Sequence, residues 1–193
     1  MYRVGIIGTA GRKECADLWT PETFKQLCEY IPVYLRNSNQ SGKQYCFVSG
    51  GAALADHAAV HHFLQGNCHR LELHLPAFFK NGQFTEGKSA GTANYYHKLF
   101  EEKTGINSLQ EIQRAIDLGA IVNTYTGFWA RNIQVGKVDT LMAFTFGPKT
   151  TCNLQNNIGW SNPTQAGVYP GGTAHTWKNS SATVKIHSSL LER

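Results

Sequence analysis

Four clusters along the chain combine small residues with groups able to hold an anion. Thr9-Ala10-Gly11-Arg12 follows the apolar run Val4-Gly5-Ile6-Ile7-Gly8. A turn without bulk leaves its backbone N–H groups open to phosphate oxygens, and the Arg12 guanidinium adds a two-pronged, charge-assisted contact. The bland alternative is a tight turn with a solvated arginine. Ser49-Gly50-Gly51-Ala52 repeats the arrangement after a second apolar run and heads an alanine-rich helical pattern, where the helix dipole reinforces free amides. Gly51 alternatively serves close packing of helix on sheet. Asp56, about one turn into that pattern, can bond a ribose hydroxyl, orient Arg12 or act as a general base. Equally, it can merely complement the dipole.

Arg131 and Asn132, before the apolar run ending at Phe144, are the third cluster, either a pocket pair or a solvated helix face. Gly171-Gly172-Thr173, continuing through His175 and Thr176, is the fourth; the imidazole can donate or accept near neutral pH, or simply face solvent. If the protein is an enzyme, the catalytic carboxylates are Asp56 and Asp139, although Asp139 directly precedes a strand-like run and also suits a structural cap. His57 and His61 share the i, i+4 spacing of metal ligands, with His62 adjacent, but no His-Glu-x-x-His pattern accompanies them, so no metal site is expected. Tyr95, Tyr96, Phe128, Trp129, Trp160, Tyr169 and Trp177 can stack on a base, but core packing is the simpler reading for each.

The elements that must position these groups alternate. Apolar runs at 2–8, 44–49, 70–75, 120–125, 139–146 and 182–188 read as buried strands. Thr20 caps a helix reaching about Leu35 with Pro21 in its first position, and residues 51–65 follow a helical pattern stopped by Gly66-Asn67. This alternation predicts a Rossmann-like, three-layer α/β fold over residues 1–193, with a mostly parallel sheet and the glycine turns at its carboxyl edge. Two stretches exceed the minimal plan. A helical insertion spans about 76–119, with a helix near 95–103 and another capped by Asn107 or Ser108 with Glu111 placed for a capping box. A long polar loop spans about 147–172, most of it within a stretch (150–177) without a single Asp, Glu, Lys or Arg.

The 193 residues, 41% hydrophobic and 16% charged, suffice for one ordinary core. The net charge of +5 is dispersed, without the basic stripe of a nucleic-acid binder, and suits a small anionic ligand equally well. No apolar run approaches the roughly 18 residues of a membrane span, and no signal peptide is evident at the N-terminus. Five cysteines without a C-x-x-C pair suggest neither a disulfide framework nor a zinc knuckle, so a cytoplasmic setting is expected.

Gly5-Ile6-Ile7-Gly8-Thr9-Ala10-Gly11-Arg12, Ser49-Gly50-Gly51-Ala52 with Asp56, Gly127-Phe128-Trp129-Ala130-Arg131-Asn132 leading to Asp139, and Gly172 to Trp177 occur in the order seen in the SLOG superfamily. The chain resembles that Rossmann-like group, which includes the Lonely Guy phosphoribohydrolases and DNA-processing protein A domains, and is most similar to its small stand-alone bacterial and phage members. The resemblance implies a nucleotide-derived ligand, such as an ADP-ribose or a cyclic nucleotide. The implied site comprises Gly8, Thr9, Ala10, Gly11, Arg12, Ser49, Gly50, Gly51, Ala52, Asp56, Arg131, Asn132, Gly171, Gly172, Thr173, His175 and Thr176. Neither cofactor nor metal is implied. A homo-oligomer is implied, in the host cytoplasm if the gene is a phage's.

The phosphoribohydrolase motif Pro-Gly-Gly-x-Gly-Thr-x-x-Glu, laid on Pro170-Gly171-Gly172, puts Ala174 at the third glycine, His175 at the threonine and Lys178 at the glutamate. Loss of that acid favours a protein that senses or sequesters its ligand, as a phage anti-defence sponge would, over an N-glycosidic hydrolase or transferase.

Overall fold

The computed structural model describes residues 1–9, 16–37, 42–146 and 172–190. Six parallel strands form its sheet: β1 (Tyr2–Gly8), β2 (Tyr45–Ser49), β3 (Arg70–Leu75), β6 (Ile121–Thr124), β7 (Thr140–Thr145) and β8 (Val184–Ser189). Their order is β6-β3-β2-β1-β7-β8. The chain steps outward from β1 to β6, then returns across the sheet to place β7 on the other side of β1. That reversal between β1 and β7 is a topological switch point, where open α/β sheets leave a crevice at their carboxyl ends.

Helices on both faces account for the unbroken apolar runs of the central strands. α1 (Pro21–Asn37), α2 (Ala58–Leu64), α3 (Lys88–Thr104) and α4 (Ser108–Asp117) cover the face carrying Val4, Ile6, Phe47, Leu71, Leu73, Leu75, Met142 and Phe144. α5 (Phe128–Val135) and α6 (Gly172–Asn179) cover Ile7, Val48, Leu141 and Ala143 on the other, contributing Val135 and Trp177. The result is the expected three-layer, Rossmann-like arrangement, with strand limits within two residues of those read from the apolar runs.

Local signals explain most element ends. Thr20 Oγ1 accepts the Thr23 amide at 3.1 Å, and Pro21 opens α1. Asn107 caps α4 by accepting the Gln110 amide at 3.0 Å. Glu111 is directed elsewhere than to a capping box, its carboxylate lying 2.7 Å from the His57 ring.

The insertion holds more than two helices, since a hairpin of β4 (Phe78–Lys80) and β5 (Gln83–Thr85) precedes α3. Asn94 of α3 ties down β5 through paired bonds to the Phe84 backbone, each 2.9 Å. The helix expected from residue 51 starts later: Leu54–His57 is a 3₁₀ turn and α2 begins at Ala58. Positive φ at Gly51 (61°) and at Leu54 (71°) holds the intervening chain out of the helix. Apart from Gly172, which opens α6, the polar loop expected at 147–172 lies outside the described residues. No described helix is long and apolar enough to cross a membrane.

Candidate functional site

The carboxyl ends of β1 and β2, the 3₁₀ turn, α5 and α6 meet around one buried ion pair. Asp56, 6% exposed, and Arg131, 7% exposed, approach at 3.4 Å between Oδ2 and Nη1. Asp56 Oδ1 accepts the Gly8 amide at 3.1 Å, and the Gly50 amide also bonds this carboxylate. Burial pushes the Asp56 pKa up to about 6, against the opposing pull of Arg131 and the two amides. Burial likewise lowers the pKa of Arg131, with Asp56 opposing it.

The turn sequence makes room for the guanidinium. A Cβ on Gly50 would lie 1.2 Å from Arg131 Nη1, so the arginine occupies the space that any side chain there would fill. Gly8 is similarly constrained, with a Cβ 2.2 Å from the Phe144 carbonyl and 2.3 Å from Ala55. A long, single-pronged contact to Asp56 leaves Arg131 under-used. Its Nε is buried and has no hydrogen-bond partner among the described residues. A buried donor left in that condition costs about 1–3 kcal/mol, which a group able to accept from it would recover.

α6 closes the site from the other side. Thr173 Oγ1 donates to the Gly8 carbonyl, and Asn132 Nδ2 donates to the Gly172 carbonyl at 3.3 Å. Thr176 Oγ1 turns back on Gly172 at 2.9 Å. His175 meets Trp129 edge-on, ring centroids 4.3 Å apart, and its Nδ1 is buried without a partner among the described residues. Burial lowers the His175 pKa. Trp129 itself is 61% exposed, an aromatic surface at the rim.

Gly8, Asp56, Arg131, Asn132, Gly172, Thr173, His175 and Thr176 therefore gather at one sheet edge. Ala10, Gly11, Arg12 and Gly171 lie outside the described residues. The free amides expected at the glycine turns are already engaged: Thr9 donates to the Phe144 carbonyl at 3.0 Å, Gly8 to Asp56, and Gly51 to Ser49 Oγ at 3.1 Å. Ser49 is a turn brace, since its hydroxyl also donates to the Asp56 carbonyl at 2.9 Å. Ala52 is half-buried in the unwound stretch, and the late start of α2 removes the helix dipole once expected behind Ser49 to Ala52.

Asp139 does not belong to the site. Its Oδ2 accepts the Arg3 amide at 2.7 Å at the amino end of the sheet, five strand positions from Gly8, about 16 Å away. Its second reading, a structural cap, is the one its contacts support. His57 faces Glu111, and His62 bonds the Cys28 carbonyl and Asn67. No metal-holding cluster of three His, Cys, Asp or Glu occurs among the described residues.

A polar line from β1 across β3 to Tyr125 escaped the sequence reading. Arg3 Nη1 lies 2.6 Å from Glu72 Oε2, and His74 Nε2 lies 2.9 Å from Glu72 Oε1 without hydrogen-bond alignment. His74 Nδ1 pairs with the Tyr125 hydroxyl at 2.9 Å. The signal was present in Arg70-Leu71-Glu72-Leu73-His74-Leu75, whose alternation gives one polar face to a strand otherwise read as wholly buried.

Comparison with known proteins finds the uncharacterized protein R261 of Acanthamoeba polyphaga mimivirus, 32% identical over 192 residues, covering 97% of this chain and 96% of R261. The chain belongs to the R261 family. No family model matches the sequence, and no solved structure matches it. The alignment spans both chains almost end to end rather than one motif.

Proposed function

We propose that the protein binds a nucleotide-derived small molecule, of the ADP-ribose or cyclic-nucleotide kind, and holds it without cleaving it. The observation that carries this reading is the buried Arg131 guanidinium, with an unused Nε, at the switch point beside the α6 N-terminus. A phosphate there would accept from Arg131 and from the first amides of α6, the ribose would lie by Asp56, Asn132 and Thr173, and a base would stack on Trp129. The biological setting we propose is sequestration of a host signal nucleotide, an anti-defence role in the host cytoplasm; the relative R261 is viral.

Hydrolysis or transfer at an N-glycosidic bond is the second reading. It would draw on Asp56, a buried carboxyl beside Arg131 that burial pushes up to about 6, toward the range of a general acid. Against it, both Asp56 oxygens are engaged, Asp139 is at the opposite edge, and Lys178 stands exposed where the phosphoribohydrolase motif has its acid.

The test incubates purified protein with a panel of mononucleotides, cyclic nucleotides and ADP-ribose species, then denatures it and identifies the released molecules by mass spectrometry. Intact ligand is expected. Free base with sugar phosphate would establish the hydrolase reading, and neither thermal stabilisation nor recovered ligand with any compound would refute both.

A further inference from the structure

The oxyanion site is already occupied by the protein's own carboxylate. Asp56 accepts the Gly8 amide and the Gly50 amide and draws on Arg131 Nη1, the donors that the turn architecture offers to a ligand. The fit is imperfect: the Arg131 contact is 3.4 Å long, its Nε is buried and unused, and Gly50 leaves the guanidinium room that no Cβ would permit. A phosphate diester brought to Arg131 would meet an ionised carboxylate in a place nearly closed to water, where like charges repel strongly.

We propose that Asp56 is an internal stand-in for the ligand's oxyanion, and that ligand binding is coupled to uptake of one proton by Asp56, which releases Arg131 to the ligand. The inference rests on the anion-binding reading above and specifies how that site is controlled. The proton comes from solvent, and no bond other than hydrogen bonds is made or broken. Once neutral, the Asp56 carboxyl can donate to the ligand instead of repelling it.

The groups facing Asp56 define the coupling. From α5 it faces Arg131; from β1 and the β2 turn it faces only backbone amides. On its own 3₁₀ turn, His57 points away to Glu111 of α4. His97 of α3 bonds the Gly51 carbonyl at 3.1 Å and is held neutral by burial, its pKa lowered to about 3. His74 of β3, within range of the Arg131 charge, is also lowered by burial. His175 of α6 is the other group at the site able to titrate, and it too is lowered. Of these groups, Asp56 is the one that bonds Arg131 directly and that burial pushes up to about 6.

The experiment measures binding of sulfate, ADP-ribose and 3′,5′-cyclic AMP, probes whose charge does not change between about pH 5 and about pH 8. For the wild-type protein, affinity is expected to fall roughly tenfold per pH unit above about pH 6, and calorimetry at about pH 7.5, in buffers of different ionisation enthalpy, should show uptake of about one proton per ligand. D56N should bind with no such pH dependence. Because that variant leaves Arg131 without its partner, the wild-type proton count stands as an independent measurement should it fold poorly. Binding without proton uptake, or a pH dependence retained in D56N, would overturn the inference while leaving the anion-binding reading intact. No binding of any probe by either protein at any pH would refute the anion-binding reading itself.

Discussion

The two edges of the sheet each hold an arginine and a carboxylate from different strands or helices, and they differ in every physical respect. At the amino edge, Arg3 and Glu72 meet at 2.6 Å, part-exposed, with Arg3 Nε also donating to the Lys137 carbonyl. The Arg3 hydrogen bond helps hold the Glu72 pKa below its ordinary value against the effect of burial. At the carboxyl edge, Arg131 and Asp56 are buried, 3.4 Å apart, with an idle Nε and a carboxyl pushed up to about 6. The first pair is satisfied and supports the fold. The second is left short of partners, as a site for an incoming anion has to be.

Removing the arginines should separate the two edges most sharply. Arg131→Met strands Asp56 in the interior and is expected to cost about 3 kcal/mol in urea unfolding, with loss of nucleotide binding. Arg3→Met removes a half-exposed pair and should cost about 1 kcal/mol or less, binding unchanged. Equal losses in the two variants would erase the contrast.

The pH dependence of stability is the next largest effect. Asp56 has a folded pKa above its unfolded value of 3.8, so the folded protein holds the proton longer. Its contribution therefore favours folding below about pH 4 and declines as pH rises to about 6, by on the order of 3 kcal/mol. Glu72 and Glu111, whose values are lowered, act in the opposite sense and lose their stabilisation as the solution is acidified. Subtracting the D56N stability curve from the wild-type curve isolates the falling step, and a flat difference curve would contradict it.

Gly50→Ala tests the cradle. With Nη1 only 1.2 Å from the new Cβ, the guanidinium must move, at about 1–3 kcal/mol and with at least roughly tenfold weaker ligand binding. Combined with Arg131→Met it should weaken binding no further, since the two act on one contact. An effect as small as that of Arg3→Met is expected from Asp139→Asn, about 1 kcal/mol of stability through the Arg3 amide, without change in ligand affinity.

How far these features could be read from residues alone follows from the range over which each is determined. Strands, the Thr20 cap, a cap at Asn107 or Ser108 and the gathering of the Gly8 and Ser49 to Ala52 turns at one edge depend on local pattern and on the alternation of elements, and all were legible, whereas a pocket role for Arg131 was favoured only by the family resemblance. The 3₁₀ turn was not: Ala52 to Ala59 favours a helix, and the departure comes from Leu75 packing over Gly51, with its Cδ2 2.3 Å from the position a Cβ would take, and from His97 bonding its carbonyl. Of the two readings of Asp139 the structural one holds, because a residue before a strand sits at the amino edge of a parallel sheet, the wrong end for a ligand. The Asp56–Arg131 pair spans 75 positions in sequence, and no local pattern encodes it.

The side-chain Nε–H resonance of Arg131 is the most direct probe of the central claim. In a nitrogen-15 correlation spectrum assigned with Arg131→Met, addition of ADP-ribose or sulfate should shift this signal downfield, saturating at the same concentration as binding measured calorimetrically. Saturable binding that leaves the Arg131 resonance unmoved would place the ligand elsewhere and contradict the proposed site.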